Sequence, residues 1–202
     1  SCTHFNEAGT LKGRPAGKLL GLLGDENSAL ARTVGLATAN ALLASLPSPP
    51  ISRDEVISTL AVTQDDRVVM VGYFAPVIAR LRQTGCRLDI VELNAHHGET
   101  LTPEQGREAM VHCTVAIVTG TSLINGTCDE VLAGLGQPRA VVLLGPSSPL
   151  CPEAFLGTPV THIAGSRVSD AEALLRIVSE GGGTMLMKPY LDFITVLVNG
   201  YS

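Results

Sequence analysis

The sequence has no tryptophan, aromatic residues make up only 3% of it, and charged residues only 16%. Leu, Val, Ile and Ala must therefore fill the interior, and this composition is typical of buried parallel strands. The 14 Lys and Arg residues are dispersed, and the formal net charge is −5. Because nucleic-acid binding needs clustered basic residues, we expect no nucleic-acid partner.

The sequence also lacks any apolar run near the roughly 20 residues that a membrane span requires, and its start has no secretion-signal pattern. We therefore expect no membrane partner and a cytoplasmic location. The five cysteines are odd in number and widely spaced, with no CxxC pair, which favours reduced thiols. Because Ser1 replaces an initiator Met and the opening is polar, we expect a trimmed or truncated chain.

The first fifty residues differ from the rest of the chain. Residues 17–23 and 27–46 have helical spacing of apolar side chains, and Pro47, Pro49 and Pro50 end the second helix. The length suits one generous domain or one domain with a small satellite. We predict a helical segment over residues 1–50 and an α/β domain over residues 51–202.

Short apolar runs then alternate with amphipathic segments. The runs are 67–71, 88–93, 115–119, 140–144 and 160–164, and the helical segments are 76–84, 103–112, 128–135 and 170–180. This alternation predicts a Rossmann-like α/β fold with a doubly wound, mainly parallel sheet. A short helix near 152–155 and a closing strand over 190–198 are also predicted.

Glycine, small or polar residues follow every predicted strand. In an open parallel sheet these ends share one edge, where ligands bind near the reversal of strand order. The expected ligand-binding residues are Gly72, Phe74, Glu92, Asn94, Gly120, Thr121, Asn125, Gly145, Ser147, Gly165, Ser166 and Lys188. The alternative for each loop is that these residues only form the turn between a strand and the next helix and bind no ligand.

Glu92 ends the second predicted strand twenty residues after Gly72, where a Rossmann domain places the acid that binds a ribose hydroxyl. The string VGYFAP replaces the glycine fingerprint, and Tyr73 and Phe74 stand where a pyrophosphate would approach. NAD(P) is therefore not expected. A nucleoside-like or metal-bound ligand held by Glu92 stays open, as does a role for Glu92 as a loop cap.

Two loops are rich in hydrogen-bond donors. Residues 119–127 carry four hydroxyls, one amide and two glycines, which suits an anion, although the absence of Lys excludes a Walker loop. Residues 181–190 combine three glycines with Lys188. A structural cap and turn in the first loop, and a hinge in the second, are the alternatives.

Metal ligation is the harder case. Glu92, His96 and His97 are weak candidate ligands for a divalent or heavy metal ion, with Glu99 and Cys86 nearby in sequence. Adjacent histidines point apart, and no pair has the spacing of a structural zinc site, so a solvated loop is the alternative. No serine triad, GxSxG elbow or thiol beside a base is present, and no catalytic residue is predicted.

Several long strings resemble a family described as putative heavy-metal chelation. They are AGTLKG (8–13), GLATANALL (35–43), VGYF (71–74), VELN (91–94), TGTSLINGT (119–127), LLGPSSPL (143–150), AGS (164–166) and SEGGGTMLMKPY (179–190). The resemblance implies a small domain similar to the enolase N-terminal domain, followed by a Rossmann-like domain, with a site between them. By implication, residues 8–13 and the region of Asn40 face the crevice loops.

The strands that would precede AGTLKG in that family are absent, so the resemblance implies an incomplete small domain. We expect the uncovered apolar face of the 27–46 helix to favour a homo-oligomer. The leading hypothesis is a protein that binds a small molecule or metal in the crevice, by heavy-metal chelation or by handling a metal-containing small molecule. The alternatives are an enzyme of nucleotide-like or other anionic substrates, and a non-catalytic scaffold or regulatory subunit.

Overall fold

The computed structural model of the chain describes residues 5–47, 49–92 and 100–198. The N-terminal part contains α1 (Ala16–Leu20), a 3-10 helix (Gly21–Gly24), α2 (Ala29–Ala44) and α3 (Val56–Thr59). The strands are β1 (Arg67–Val71), β2 (Arg87–Val91), β3 (Thr100–Leu101), β4 (Val115–Thr119), β5 (Ala140–Leu144), β6 (His162–Val168) and β7 (Leu191–Leu197). Between them lie α4 (Ala75–Thr84), α5 (Arg107–His112), α6 (Thr121–Asn125), α7 (Cys128–Ala133), α8 (Ala171–Ser179) and α9 (Thr184–Met187), with 3-10 helices at Pro152–Phe155 and Lys188–Tyr190.

The seven strands form one sheet in the order β3-β2-β1-β4-β5-β6-β7. All neighbouring pairs are parallel except β6 and β7, which pair antiparallel. The strand order reverses between β1 and β4, so the chain winds outward in both directions from this point. The predicted Rossmann-like, doubly wound α/β fold is confirmed.

Both faces of the central strands are buried, which explains their continuous apolar sequences. Val69, Ala116 and Val141 belong to the core on one face of the sheet. The residues that follow Val69 and Ala116, Met70 and Ile117, point to the other face and join a second core there. The sheet is therefore the rigid platform from which the strand-end loops project.

Helix boundaries follow ordinary capping rules. The Ser28 Oγ accepts a hydrogen bond from the Ala31 N–H at 3.1 Å and begins α2, and Asp170 begins α8 in the same way. Gly85, with φ of 76°, ends α4 in the left-handed conformation. In the described part of the chain, no helix is long and apolar enough to cross a bilayer.

Several local predictions need correction. The fifth predicted strand, 160–164, lies at His162–Val168, because β6 continues along its antiparallel partner β7 beyond the end of β5. Residues 121–125 of the predicted loop 119–127 and residues 184–190 of the predicted loop 181–190 are helical, and a short helix, α3, follows the prolines that end the second predicted helix. The short helix at 152–155 and the closing strand are confirmed.

Candidate functional site

The carboxyl ends of β1 and β4 meet at the reversal of strand order. A Cβ atom added to Gly72, whose φ is 103°, would lie 2.9 Å from the Thr119 Cβ, so this close approach needs glycine. Atoms of the Phe74 ring lie 3.5 Å from that position and 3.6 Å from the corresponding position of Gly145. The structure thus brings Gly72, Phe74 and Gly145 together, with the aromatic ring filling the space between the two glycines.

The segment after β4 is held by its own hydrogen bonds. The Gly120 N–H donates to the Leu144 carbonyl at 2.7 Å, and the hydroxyls of Thr119 and Thr121 lie 2.8 Å apart. The Ser122 hydroxyl donates to the Thr119 carbonyl at 2.7 Å. These bonds give the short helix α6, which leaves Thr121 and its C-terminal residue Asn125 exposed.

Ser148, in the loop after β5, is a buried polar residue whose hydroxyl lacks a hydrogen-bond partner among the described residues. It is 2% exposed, and its Oγ is the one buried side-chain N or O atom within the described ranges that has no hydrogen-bond partner. The Oγ would lie 2.5 Å from a Cβ added to Gly120, so the serine packs directly against the β4 loop. A buried hydroxyl without a partner costs free energy, which makes Ser148 a candidate for a ligand contact.

A cavity of about 760 Å³ lies beside this edge, between α2, the loop after β5, the end of β6 and the segment around α9. Most of its wall is apolar, including Ala37, Ala41 and Ala44 of α2 and Leu150 and Met187 opposite. Its polar side chains are Asn40, Ser148, Cys151, Glu153, Ser166, Arg167 and Thr184. The size and lining are those of a small-molecule site.

Helix α2 is fixed to the strand-end loops at two points, which makes it one wall of the cavity. The Arg32 Nε donates to the Ile124 carbonyl at 2.5 Å. Two turns further on, the Asn40 Nδ2 donates to the Ser147 carbonyl at 3.2 Å. The hydrogen bonds around residues 8–13 are local turns, such as the Thr10 N–H to the Glu7 carbonyl at 3.0 Å.

The ionisable groups in the cavity differ in how they are paired. The Cys151 Sγ lies 3.5 Å from the Glu153 Oε2, and burial, together with this carboxylate, raises the pKa of the thiol. The thiol is therefore protonated at neutral pH. Arg167 stands opposite Asp192 in the β6–β7 register, but no ion pair within 4.0 Å joins them in the described part of the molecule.

The predicted site residues fall into separate places. Ser166 lines the cavity, and Gly165 packs against Leu150 and the Ser148 carbonyl, where an added Cβ would meet both at 3.0 Å. Both residues lie inside β6, not in a loop after the strand as predicted, because β6 extends to Val168.

Of the predicted ligand-binding residues that the structure describes, Ser166 alone is part of the cavity lining, and Glu92 and Lys188 are examples of residues that lie outside it. Glu92 follows β2, and its N–H donates to the Leu101 carbonyl at 2.9 Å. That strand lies on the far side of β1 from β5 and β6. Lys188 is exposed at the start of a 3-10 helix, next to the cavity residue Met187. The candidates Asn94, His96 and His97 lie outside the described residues.

The donor set of the described residues does not fit a protein-held metal ion. No group of three or more His, Cys, Asp or Glu side chains comes close enough together within those residues to bind one. Burial raises the pKa of the Cys113 and Cys128 thiols, which both lie in the core and not in the cavity. In the described part of the chain the cavity lining contains a single thiol, that of Cys151.

Five polar cavity residues were not among the predicted ligand-binding residues: Ser148, Cys151, Glu153, Arg167 and Thr184. Ser148 could have been included, since it follows the predicted Ser147 in the same loop, and Thr184 lies in the predicted donor-rich segment 181–190. Cys151, Glu153 and Arg167 have no local signal, because the cavity that unites them is built by segments distant in sequence. Asn40 was indicated only through the family resemblance.

Two family sequence models match the chain, and both are described as "Putative heavy-metal chelation", one over residues 55–197 and the other over residues 1–43. An uncharacterised protein of Methanocaldococcus jannaschii is 24% identical over 172 residues, which cover 82% of this chain and 66% of that protein. The chain thus spans slightly less than two thirds of that relative.

Two crystal structures of proteins of unknown function, from the family that matches residues 55–197, share the fold. The protein from Pyrococcus horikoshii has a TM-score of 0.82 at 21% identity, covering 93% of this chain and 77% of its own. The protein from Desulfitobacterium hafniense has a TM-score of 0.77 at 21% identity, covering 91% of this chain and 74% of its own.

Proposed function

The chain belongs to the family described as putative heavy-metal chelation, and from this premise we propose that it binds a small organic molecule in the cavity beside α2, with any metal carried by that molecule. The observation that supports this most directly is that the described residues form a cavity for a small molecule but no cluster of metal ligands. The described residues bring no three His, Cys, Asp or Glu side chains together for a metal ion, whereas they line a partly open cavity of about 760 Å³ with a mainly apolar wall.

The apolar wall favours a ligand with an apolar body. Burial of apolar surface contributes roughly 25 cal/mol per Å², so a ligand burying about 200 Å² of such surface would gain about 5 kcal/mol before the cost of association. A hydrated metal ion would gain nothing from this wall. A metal enclosed in an organic chelator would present carbon atoms to it instead.

A metal inside such a chelate would find two soft donors in the cavity wall. The Cys151 thiol and the Met187 thioether both line it, and sulfur ligands favour soft metals. Because the pKa of the Cys151 thiol is raised, coordination by this sulfur must release a proton. Binding of a chelate through Cys151 should therefore weaken as the pH falls.

Fluorescence titration with N-phenyl-1-naphthylamine, an uncharged apolar probe, tests whether the cavity admits a molecule. We expect binding to the wild-type protein and its loss in Ala41→Phe, because Ala41 lines the cavity and the added ring would fill part of it. Ala29→Phe, on an exposed position of the same helix, is the matched control and should bind the probe as the wild type does. Equal binding by all three proteins would place the probe elsewhere and contradict the proposal.

Calorimetry with two forms of zinc tests the second part. We expect Zn²⁺ bound to 1,10-phenanthroline to bind, free Zn²⁺ not to bind, and Ala41→Phe to abolish binding of the chelate. Phenanthroline alone is the control for the contribution of the rings. If free Zn²⁺ bound as tightly as the chelate in both proteins, the metal site would lie outside the cavity, and a chelator role for the chain itself would replace this proposal.

A further inference from the structure

The polar groups of the cavity are concentrated on the wall formed by the end of β6 and the loop after β5. Gly165 packs on Ser148, and the next two residues, Ser166 and Arg167, line the cavity. From this arrangement we infer that the bound molecule is an organic acid whose anionic group is held by Arg167. The inference rests on the proposed function and adds the chemical class of the ligand.

Arg167 differs from the arginines that stabilise the fold. Arg139 holds the Asp66 carboxylate at 2.8 Å, and Arg14 holds Glu7 at 2.5 Å. Arg167 has no such carboxylate or carbonyl partner among the residues that the structure describes, although the residue is half-buried and lines the cavity. Desolvating a guanidinium without a partner is costly, and an anionic ligand would supply the missing partner.

Two carboxylates also lie near Arg167 or the cavity and could repel an anion. Asp192 faces Arg167 across the β6–β7 pair, and Glu153 lines the cavity. Asp192 is not part of the cavity lining, and the Glu153 carboxylate already accepts a hydrogen bond from the Cys151 thiol. Arg167 is therefore the basic residue of the cavity lining that can meet an anion.

Ser148 gives an independent reason to place a ligand oxygen at this end. Its side chain is almost completely buried, and its hydroxyl has no partner in the described structure. A hydroxyl can donate to an anionic oxygen, and a pair of donors on one acid group is a common form of recognition. The alanines of α2 and Leu150 then cover the carbon part of the molecule.

Two matched fluorescent probes test this inference. N-phenyl-1-naphthylamine is uncharged, and 8-anilino-1-naphthalenesulfonate has the same rings with an added anionic group. We expect the anionic probe to bind the wild-type protein more tightly. Arg167→Met should weaken the anionic probe about tenfold or more, the factor of a lost charge-assisted hydrogen bond, and leave the neutral probe unchanged.

Arg176→Met is the control, because Arg176 is exposed on α8 and is not part of the cavity lining. It should change neither affinity, and Arg167→Lys should retain part of the preference for the anionic probe. Since a variant at Arg167 could fold poorly, salt provides a second measurement on the wild-type protein. Raising the ionic strength should weaken the anionic probe and not the neutral one.

The outcomes separate the two proposals. If both probes enter and Ala41→Phe excludes both, but Arg167→Met and salt change neither affinity, the organic-acid inference is wrong and the cavity proposal stands. If neither probe binds the wild type, or Ala41→Phe has no effect, the cavity proposal itself fails. If Arg167→Met weakens both probes equally, Arg167 shapes the cavity and does not recognise an anion, which also overturns the inference.

Discussion

Two serines of the strand-end loops allow a sharp test of whether the Ser148 hydroxyl lacks a partner in solution. Ser148 and Ser122 are 2% and 1% exposed, respectively. The Ser122 hydroxyl donates to the Thr119 carbonyl at 2.7 Å, whereas the Ser148 hydroxyl has no partner among the described residues. Replacing each by alanine removes the same atom from an equally buried position, yet the two changes should have opposite signs.

The magnitudes follow from the hydrogen-bond balance. A buried hydroxyl without a partner costs roughly 1 to 3 kcal/mol, and Ser148→Ala removes that cost while leaving a void of one oxygen atom, so we expect a gain of about 1 kcal/mol. Ser122→Ala removes a net hydrogen bond and leaves the Thr119 carbonyl with fewer donors, so we expect a loss of about 1 kcal/mol. For a chain of this length, 1 kcal/mol corresponds to about 2 to 4 °C in Tm.

Urea unfolding at neutral pH, followed by circular dichroism, measures both changes on the same scale, and calorimetric melting checks the direction. The expected result is a higher midpoint for Ser148→Ala and a lower one for Ser122→Ala, with equal m-values. If Ser148→Ala lost as much stability as Ser122→Ala, the Ser148 hydroxyl would have a partner in solution. Its role as a free ligand contact would then be refuted.

Three further predictions concern acid, packing and assembly. The hydrogen bond and the charge of Arg139 hold the pKa of the Asp66 carboxyl well below its usual range. The Asp66 carboxylate therefore stabilises the fold above its unfolded pKa of about 3.9. Urea midpoints should fall as the pH drops below that value, and the fall should be smaller in Asp66→Asn. Gly35→Ala should lower the stability of the fold by roughly 1 to 3 kcal/mol in thermal melts, despite the helix preference of alanine, because the added Cβ would lie 2.3 Å from the Leu23 backbone nitrogen. Gly17→Ala is the control: no atom lies within 4 Å of the added Cβ, so this variant should be as stable as the wild type or more stable. Self-association stays a prediction, and light scattering that shows a monomer up to high concentration would contradict it.

The central strands could be predicted from sequence because nearly all of their residues are buried. The runs at Arg67–Val71, Val115–Thr119 and Ala140–Leu144 match the structure residue for residue. Their middle residues are covered on both faces, so each apolar run nearly coincides with its strand, although Arg67 begins β1 and Thr119 ends β4. At the sheet margins the pattern fails, since β3 has only two residues, and β6 takes its length from pairing with β7.

The strand-end edge was also predictable, but the cavity was not. The edge follows from topology alone, since every parallel strand ends there. The cavity is lined by segments that lie far apart along the chain, around residues 37–47, 146–153, 166–168 and 184–191. The hydroxyl-rich segment 119–127 predicted a loop, yet residues 121–125 form the helix α6, which begins among the hydrogen bonds of Thr119 and Ser122.

The two hydrogen bonds that fix α2 to the strand-end loops, from Arg32 and from Asn40, have a thermodynamic consequence. A molecule in the cavity touches α2 on one side and the β5–β6 loops on the other, so it is bound only while the helix stays docked. By mass action it must oppose undocking by RT ln(1 + [L]/Kd), about 2.7 kcal/mol at a hundredfold excess over Kd. Protection of the α2 amides from hydrogen exchange would therefore report occupancy of the cavity even when the ligand has no signal of its own.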